Sequence, residues 1–247
     1  MPDTRSHRGP HPEDARLFAA VNLPALQEAV RHFSWLLTKG YGENSSLKLV
    51  GDRFSLEERQ RMAVWRASCA DAALDLRRTK SVTPLQLEGR ILEIDGFNLL
   101  MTIETALSRG VVLQCRDECV RDLAGLHGSY RKVEETLPAI ELIAADLARW
   151  SPKQCHWWFD SPVSNSGRLA TLFREFAESR ALPWSVEVTP NPDAVLIRSP
   201  HVVVSADSAI LDRCALWCNY ASELVKRAIP NGWIVKMCPR SGIQDPP

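Results

Sequence analysis

Four aspartates in this 247-residue chain each follow a short apolar run. Ile91-Leu-Glu-Ile leads into Asp95, and His156-Trp-Trp-Phe leads into Asp160. Val186 and Val188 precede Asp193, and Val202-Val-Val-Ser-Ala leads into Asp207. In an open parallel sheet the carboxyl ends of the strands border one crevice, and ligands bind there. Carboxylates gathered at such an edge repel one another: a pair about 4 Å apart costs roughly 4 kcal/mol at an effective dielectric near 20. Protons or a cation must offset that cost, and an all-oxygen donor set selects a hard ion such as Mg²⁺ or Mn²⁺.

The neighbours of these acids have chemistry of their own. Gly96 lets the chain turn sharply after Asp95, and Asn98 can orient that carboxylate. The alternative is a plain strand–turn–helix in which Asp95 or Asn98 caps the helix. After Asp160 come Ser161, Ser164, Asn165 and Ser166, which offer hydroxyl and amide groups at a helix start, followed by Arg168, whose fork suits a phosphate. Ser205 and Ser208 flank Asp207 and can hold it by hydrogen bonds. Asn191-Pro-Asp193 reads equally well as a turn. Asp117 follows the run Val111–Cys115 and is a further candidate metal ligand, whereas Glu104 reads as part of a solvated helix face.

The elements that must position these groups fall into two textures. Residues 1–14 are rich in Pro, His and charge and are expected to be disordered, and 239–247 form a loose tail. Residues 15–80 read as all helical. Leu17, Val21, Leu26, Val30, Phe33 and Leu37 recur at helical spacing, Lys39-Gly-Tyr-Gly is a stop, and Ser55 with Glu58 forms a capping box that opens a long helix through Leu76. A linker at 81–88 contains Pro84. From 89 to 238 short β-rich runs alternate with helical patterns, which predicts βαβ units and a mostly parallel sheet. Strands are expected near 89–95, 111–115, 155–160, 184–188, 202–205 and 233–238, with helices near 98–108, 117–126, 134–149, 165–180 and 208–227.

Composition narrows the function classes. Lys+Arg and Asp+Glu both number 30, so no broad positive field exists to attract nucleic acid, although a local basic groove remains open. Lys48, Arg53, Arg59, Arg61 and Arg66, with Arg77-Arg-Thr-Lys80, form a loose basic set that could grip RNA. Asp52, Glu57 and Glu58 are interleaved with it, so a solvated helix face is the alternative. No apolar run reaches the roughly 18 residues of a membrane span, and the N-terminus has no apolar signal region, so a cytoplasmic protein is expected. The seven cysteines include the i,i+4 pairs Cys115/Cys119 and Cys214/Cys218, neither of them the Cys-x-x-Cys spacing of a zinc ribbon. Reduced thiols are the simpler reading, with a structural metal or redox pair as the other.

Residues 88–238 resemble the PIN-like nuclease superfamily, and most of all its NYN branch. The resemblance is carried by Asp95 with Asn98, Asp160, Asp193, and Ser205 with Asp207. The basic residue usual before the third acid is absent, since Thr189-Pro-Asn-Pro stands there. The resemblance implies a Rossmann-like α/β/α sandwich and metal-dependent cleavage of RNA phosphodiesters. Asp95, Asp160 and Asp207 would hold Mg²⁺ or Mn²⁺, with help from Asp193. Asn98 and Ser205 would orient them, and Ser164 and Arg168 would face a phosphate. The whole chain also resembles an uncharacterised bacterial and archaeal family with a helical N-terminal part, of the domain of unknown function 434 type. That likeness rests on Leu49-Val-Gly-Asp-Arg53, Arg59-Gln-Arg61, Ile94-Asp-Gly-Phe-Asn98, Arg121-Asp122 followed by Gly125, and Ser164-Asn-Ser-Gly167. A non-catalytic RNA- or nucleotide-binding regulator and a purely structural interaction module stay open, as does a homo-oligomer. A phosphohydrolase of the haloacid-dehalogenase kind needs a second aspartate two residues after the first, where Phe97 stands.

Overall fold

The computed structural model describes residues 7–123 and 130–238. Its centre is a six-stranded sheet in the order β1-β8-β7-β2-β5-β6. The strands are β1 (Ser81–Val82), β2 (Ile91–Asp95), β5 (Gln154–Asp160), β6 (Trp184–Thr189), β7 (Val202–Val204) and β8 (Leu216–Cys218). Every pairing in it is parallel. The chain therefore builds outward from β2 to β5 and β6, then returns to the other side of β2 for β7 and β8. The direction of winding reverses between β2 and β7, and a crevice opens at such a reversal.

Alternation along the strands sorts the side chains. Leu92 and Ile94 of β2, Cys155, Trp157 and Phe159 of β5, and Val202 and Val204 of β7 enter the main core. Val203 and Trp217 enter a second core on the opposite face, with Leu196 and Ile210. β7 is buried on both faces, which is why it reads as an unbroken apolar run. By the same parity Asp95 and Asp160 belong to the face opposite the main core, the face that carries α9 (Pro192–Arg198) and α10 (Ser208–Leu211).

Helix α6 (Gly96–Leu107) is buried along almost its whole length. It packs against the large sheet and also against a second, three-stranded sheet of β3 (Val111–Gln114), β4 (Val120–Asp122) and β9 (Trp233–Lys236), in the order β4-β3-β9. That small sheet shares a hydrophobic core with the N-terminal helices α2 (Leu23–Thr38), α3 (Glu43–Arg53) and α4 (Glu58–Ala67). Val111, Leu113 and Val235 meet Leu26, Phe33 and Val64 there. The short helix α1 (Asp14–Leu17) adds Leu17 to this core, and α5 (Asp71–Lys80) leads directly into β1.

Several expectations are corrected. Within the segment expected as helix 117–126, the described residues 117–123 carry strand β4 instead, residues 124–126 lie outside the described residues, and the expected helix 208–227 is α10, β8 and α11 (Tyr220–Ala228). The capping box of α4 is Glu57 with Gln60, not Ser55 with Glu58. The segment 81–88, read as a linker, supplies the edge strand β1. Glu104 is fully buried rather than solvated, and its carboxylate accepts from Arg8 Nε at 2.9 Å, Tyr130 Oη at 2.6 Å and Thr136 Oγ1 at 2.6 Å. Arg8 lies in the segment expected to be disordered, and this buried ion pair docks that part of it. The tail at 239–247 lies outside the described residues. Among the described residues all seven cysteines are free thiols, and no helix is long and apolar enough to cross a membrane.

Candidate functional site

The parallel order of the sheet brings the carboxyl ends of β7, β2, β5 and β6 side by side, and the four aspartates of the sequence pattern stand along that edge. Asp95 ends β2 and caps α6, accepting from the Asn98 amide at 3.3 Å. The turn is tight enough that Gly96 is required: a Cβ there would stand 2.5 Å from the Phe159 ring. Gly96→Ala is therefore expected to destabilise the protein by about 1–3 kcal/mol through overpacking, read as a lower urea midpoint with an unchanged slope.

Two hydrogen bonds link the β2 and β7 turns. The Ser205 hydroxyl donates to Asp95 Oδ2 at 2.8 Å, and Asn98 Oδ1 accepts from the Ala206 amide at 2.9 Å. Ser205 Oγ in turn accepts from the Asp207 amide at 3.0 Å. Asp207 caps α10, accepting from Ala209 N at 2.7 Å and Ile210 N at 3.3 Å. Asn98 and Ser205 thus sit between the two acids that flank the reversal point. Asp160 ends β5, and Asp193 lies in the first turn of α9, which Asn191 caps through the Ala194 amide. Asn191-Pro-Asp193 is therefore a helix start as well as a turn.

The acids sense one another. Burial first, then Asp207 and Asp193, raise Asp95 to about 7, against the opposing hydrogen bonds from Ser205 and Asn98. Asp160 is raised by burial and by Asp193, and Asp193 by burial and by Asp207. None of the four is paired with a cationic side chain among the described residues. They are strung along the edge rather than clustered: among the described residues, no group of three His, Cys, Asp or Glu side chains is gathered so as to hold a metal ion. Ser164 and Arg168 are exposed, at and just after the loop that follows Asp160, with Arg168 in the first turn of α8 (Ser166–Ser179).

Asp117 is elsewhere in the network. It sits in the turn between β3 and β4, where Arg121 donates to both of its oxygens at 2.9 and 2.6 Å and Arg77 donates at 2.5 Å. Burial would raise its pKa, but the two guanidinium groups overcome that and hold it at about 2. With both oxygens engaged by arginine it is a buried counter-ion, and it stands outside the set of acids on the edge. Arg121 carries part of the family likeness in the sequence, but no role is read for it there. Its Nε donates to the Ala206 carbonyl at 2.7 Å, so it holds the turn between Ser205 and Asp207 from behind. No spacing in the sequence signals that contact.

The basic set of the N-terminal helices is largely neutralised. Lys48 and Arg61 pair with Asp52, Arg59 with Asp14, and Arg77 with Asp117 and Asp212. Arg66 differs: one guanidinium nitrogen donates to the Asp122 carbonyl at 3.0 Å, and its Nε is buried without a partner.

Residues 25–80 match a family described as Protein of unknown function (DUF434). The chain is 27% identical over 205 residues to an uncharacterized protein of Methanocaldococcus jannaschii, covering 83% of this chain and 97% of that one. No solved structure matches it. Residues 84–223, which include all four edge aspartates, match the family described as Domain of unknown function (DUF5616), and the chain belongs to that family.

Proposed function

We propose that the chain is a metal-dependent ribonuclease with a PIN-like α/β/α core, acting at the carboxyl edge of the large sheet. The observation that carries this reading is the string of Asp95, Asp160, Asp193 and Asp207 along one edge, unpaired with cations among the described residues, with the first three raised in pKa by burial and by neighbouring acids, and with Asp95 and Asp207 joined through Ser205. The strand order supports it, because the reversal point lies between the strands that deliver Asp95 and Asp207.

The residues fit a hard divalent ion. All the donors are carboxylate oxygens, and Mg²⁺ commonly takes only one or two protein carboxylates together with substrate phosphates, so a closed cage is not needed. Asp95 and Asp207 would hold such an ion, with Asp160 and Asp193 further along the edge. When bound, the ion supplies Lewis-acid stabilisation of charge developing on the phosphoryl group. Ser205 and Asn98 fix the Asp95 carboxylate, and Arg168, which is exposed and has no ion pair among the described residues, offers its guanidinium to a flanking phosphate.

The spacing of the acids favours a second reading, a non-catalytic RNA- or nucleotide-binding protein that keeps the same edge. One experiment separates the two. Purified protein is incubated with mixed RNAs in Mn²⁺ or in EDTA, beside Asp95→Asn. Cleavage is expected in Mn²⁺ alone and should fall in the variant by on the order of 100-fold or more, the scale of losing a charge that acts on the transition state. Equal cleavage by parent and variant would remove the nuclease reading. RNA binding in EDTA with no cleavage in Mn²⁺ would favour the second.

A further inference from the structure

Helix α6 starts at one carboxylate, Asp95, and buries another, Glu104, near its far end. A carboxylate taken out of water is costly unless a cation and hydrogen bonds compensate it. Arg8, Tyr130 and Thr136 do so for Glu104, and of these only Arg8 brings positive charge. Arg8 belongs to a strap, residues 7–13, that precedes α1. The rest of its hold is on the segment 130–136. Arg8 Nη2 donates to the Arg131 carbonyl at 3.1 Å, and its amide donates to Glu135 at 3.4 Å. Its guanidinium lies 5.1 Å over the Tyr130 ring, and His7 Nδ1 stands 2.7 Å from Glu135 Oε1.

That segment in turn holds the loop after Asp160. The Tyr130 amide donates to the Ser164 carbonyl at 3.1 Å, and Asn165 Nδ2 donates to the Tyr130 carbonyl at 2.9 Å. Asn165 precedes α8 in the left-handed region, with φ of 68°, and its side chain makes no cap bond to that helix. An asparagine at this position commonly caps the helix. Here its side chain is committed to Tyr130 instead. Tyr130 also reaches the start of α6. Its ring lies 5.5 Å from that of Phe97, which packs at 5.1 Å on Phe159, the residue before Asp160. Tyr130 therefore touches the elements that follow both Asp95 and Asp160.

We propose that Tyr130 is a positioning residue for the acid edge and that Arg8 is the latch that seats it: docking of the strap sets the loop at 161–165, and its release frees that loop without opening the sheet. The strap is held chiefly by polar contacts centred on one ion pair, whereas β2 and β5 are held by their ladder and by the main core. Local opening of a weakly held segment leaves such a core closed. The latch does not depend on what the edge receives, so it can fail while the nuclease reading stands, and the reverse.

The test is native-state amide hydrogen exchange of the full chain without metal or RNA. The reporters are the amides of Tyr130, Val163 and Ser166, which are bonded to the carbonyls of Ser164, Asp160 and Val163. The reference is the amides of β2 and β5. Arg8→Met withdraws the latch. Arg8→Met/Glu104→Gln withdraws it and leaves no uncompensated charge, so it serves if the single variant does not fold. In both, the reporters are expected to exchange roughly 10-fold faster or more, beyond any change in β2 and β5. In the double variant the strands should return to the parent's rates while the reporters stay fast. Tyr130→Phe, which removes only the hydroxyl, should also speed the reporters. An ion pair that serves stability alone would move reporters and strands together. Reporters that follow the strands in both Arg8 variants, or that regain the parent's protection in the double variant, would overturn the latch. Reporters at the parent's rate in Tyr130→Phe would overturn its part in the coupling.

Discussion

At pH 8 and in EDTA, Asp95→Asn is expected to unfold at a higher urea concentration than the parent protein, although it is the variant expected to lose RNA cleavage. The sign follows from the raised pKa. Asp95 titrates near 7 in the folded protein because burial, and then Asp207 and Asp193, disfavour its charge, whereas an unfolded aspartate loses its proton near 3.8. Between those values the folded state binds more protons than the unfolded state, so stability falls as pH rises through the window. Above about 7 the full penalty is present, and below about 4 it is gone. A gap of that size corresponds to about 4 kcal/mol at most, and solvent and salt at an open edge reduce it to about 1–3 kcal/mol. Asparagine keeps the shape and cannot ionise, so its advantage should appear at pH 8 and vanish at pH 4. Mn²⁺ should reverse the comparison by stabilising the parent through binding to the folded state alone. Parent and variant curves that run parallel across this pH range would show that Asp95 carries no such strain, and the case for a cation there would go with it.

Replacing Arg121 by methionine is expected to cost about 3–5 kcal/mol, the range for removing one member of a buried ion pair. Arg121 is almost wholly buried, and it satisfies Asp117, the Ala206 carbonyl and the Arg66 carbonyl together. Methionine fills similar space but leaves all three short of a donor. The loss should shrink in acid. The lowered pKa of Asp117, about 2, makes its contribution complete above about 4 and lost as pH falls through 2. The double variant Arg121→Met/Asp117→Leu should recover part of the loss, because it removes the uncompensated carboxylate while Arg77 keeps Asp212. The single variant should also loosen the turn that holds Ser205 against Asp95, lowering cleavage by roughly 10-fold, as the loss of groups that support metal-binding residues commonly does. A single variant as stable as the parent would show that the network contributes little.

The strands that deliver the four acids were readable because each is a compact apolar run ending in a polar turn. β7 shows this most plainly, with Val202, Val203 and Val204 buried on both faces. β4 and β8 were not readable. Each has only three residues. β7 is no longer than that, but its three valines are all β-branched, whereas Val120-Arg-Asp and Leu216-Trp-Cys fit a helical pattern as well as an extended one. A run that short carries too few periods to distinguish 3.6 from 2, so pairing partners decide it. Glu104 and Asp117 were misplaced for a related reason: spacing shows which helix or turn a carboxylate occupies, but not the arginine that arrives from a distant segment to cover it. Arg8 reaches Glu104 across 96 residues of chain, and Arg77 reaches Asp117 across 40.

By itself the amino-acid order determined a helical N-terminal part, a βαβ remainder with a mostly parallel sheet, and aspartates at the ends of its strands, because local periodicity and turn chemistry act over a few neighbours. Only the tertiary structure decided that β2 and β7 lie side by side, that Ser205 bridges Asp95 and the Asp207 amide, and that Asp117 is a covered counter-ion. Those outcomes depend on which strand pairs with which and on what buries each charge, and both are settled by long-range packing that spacing along the chain does not encode.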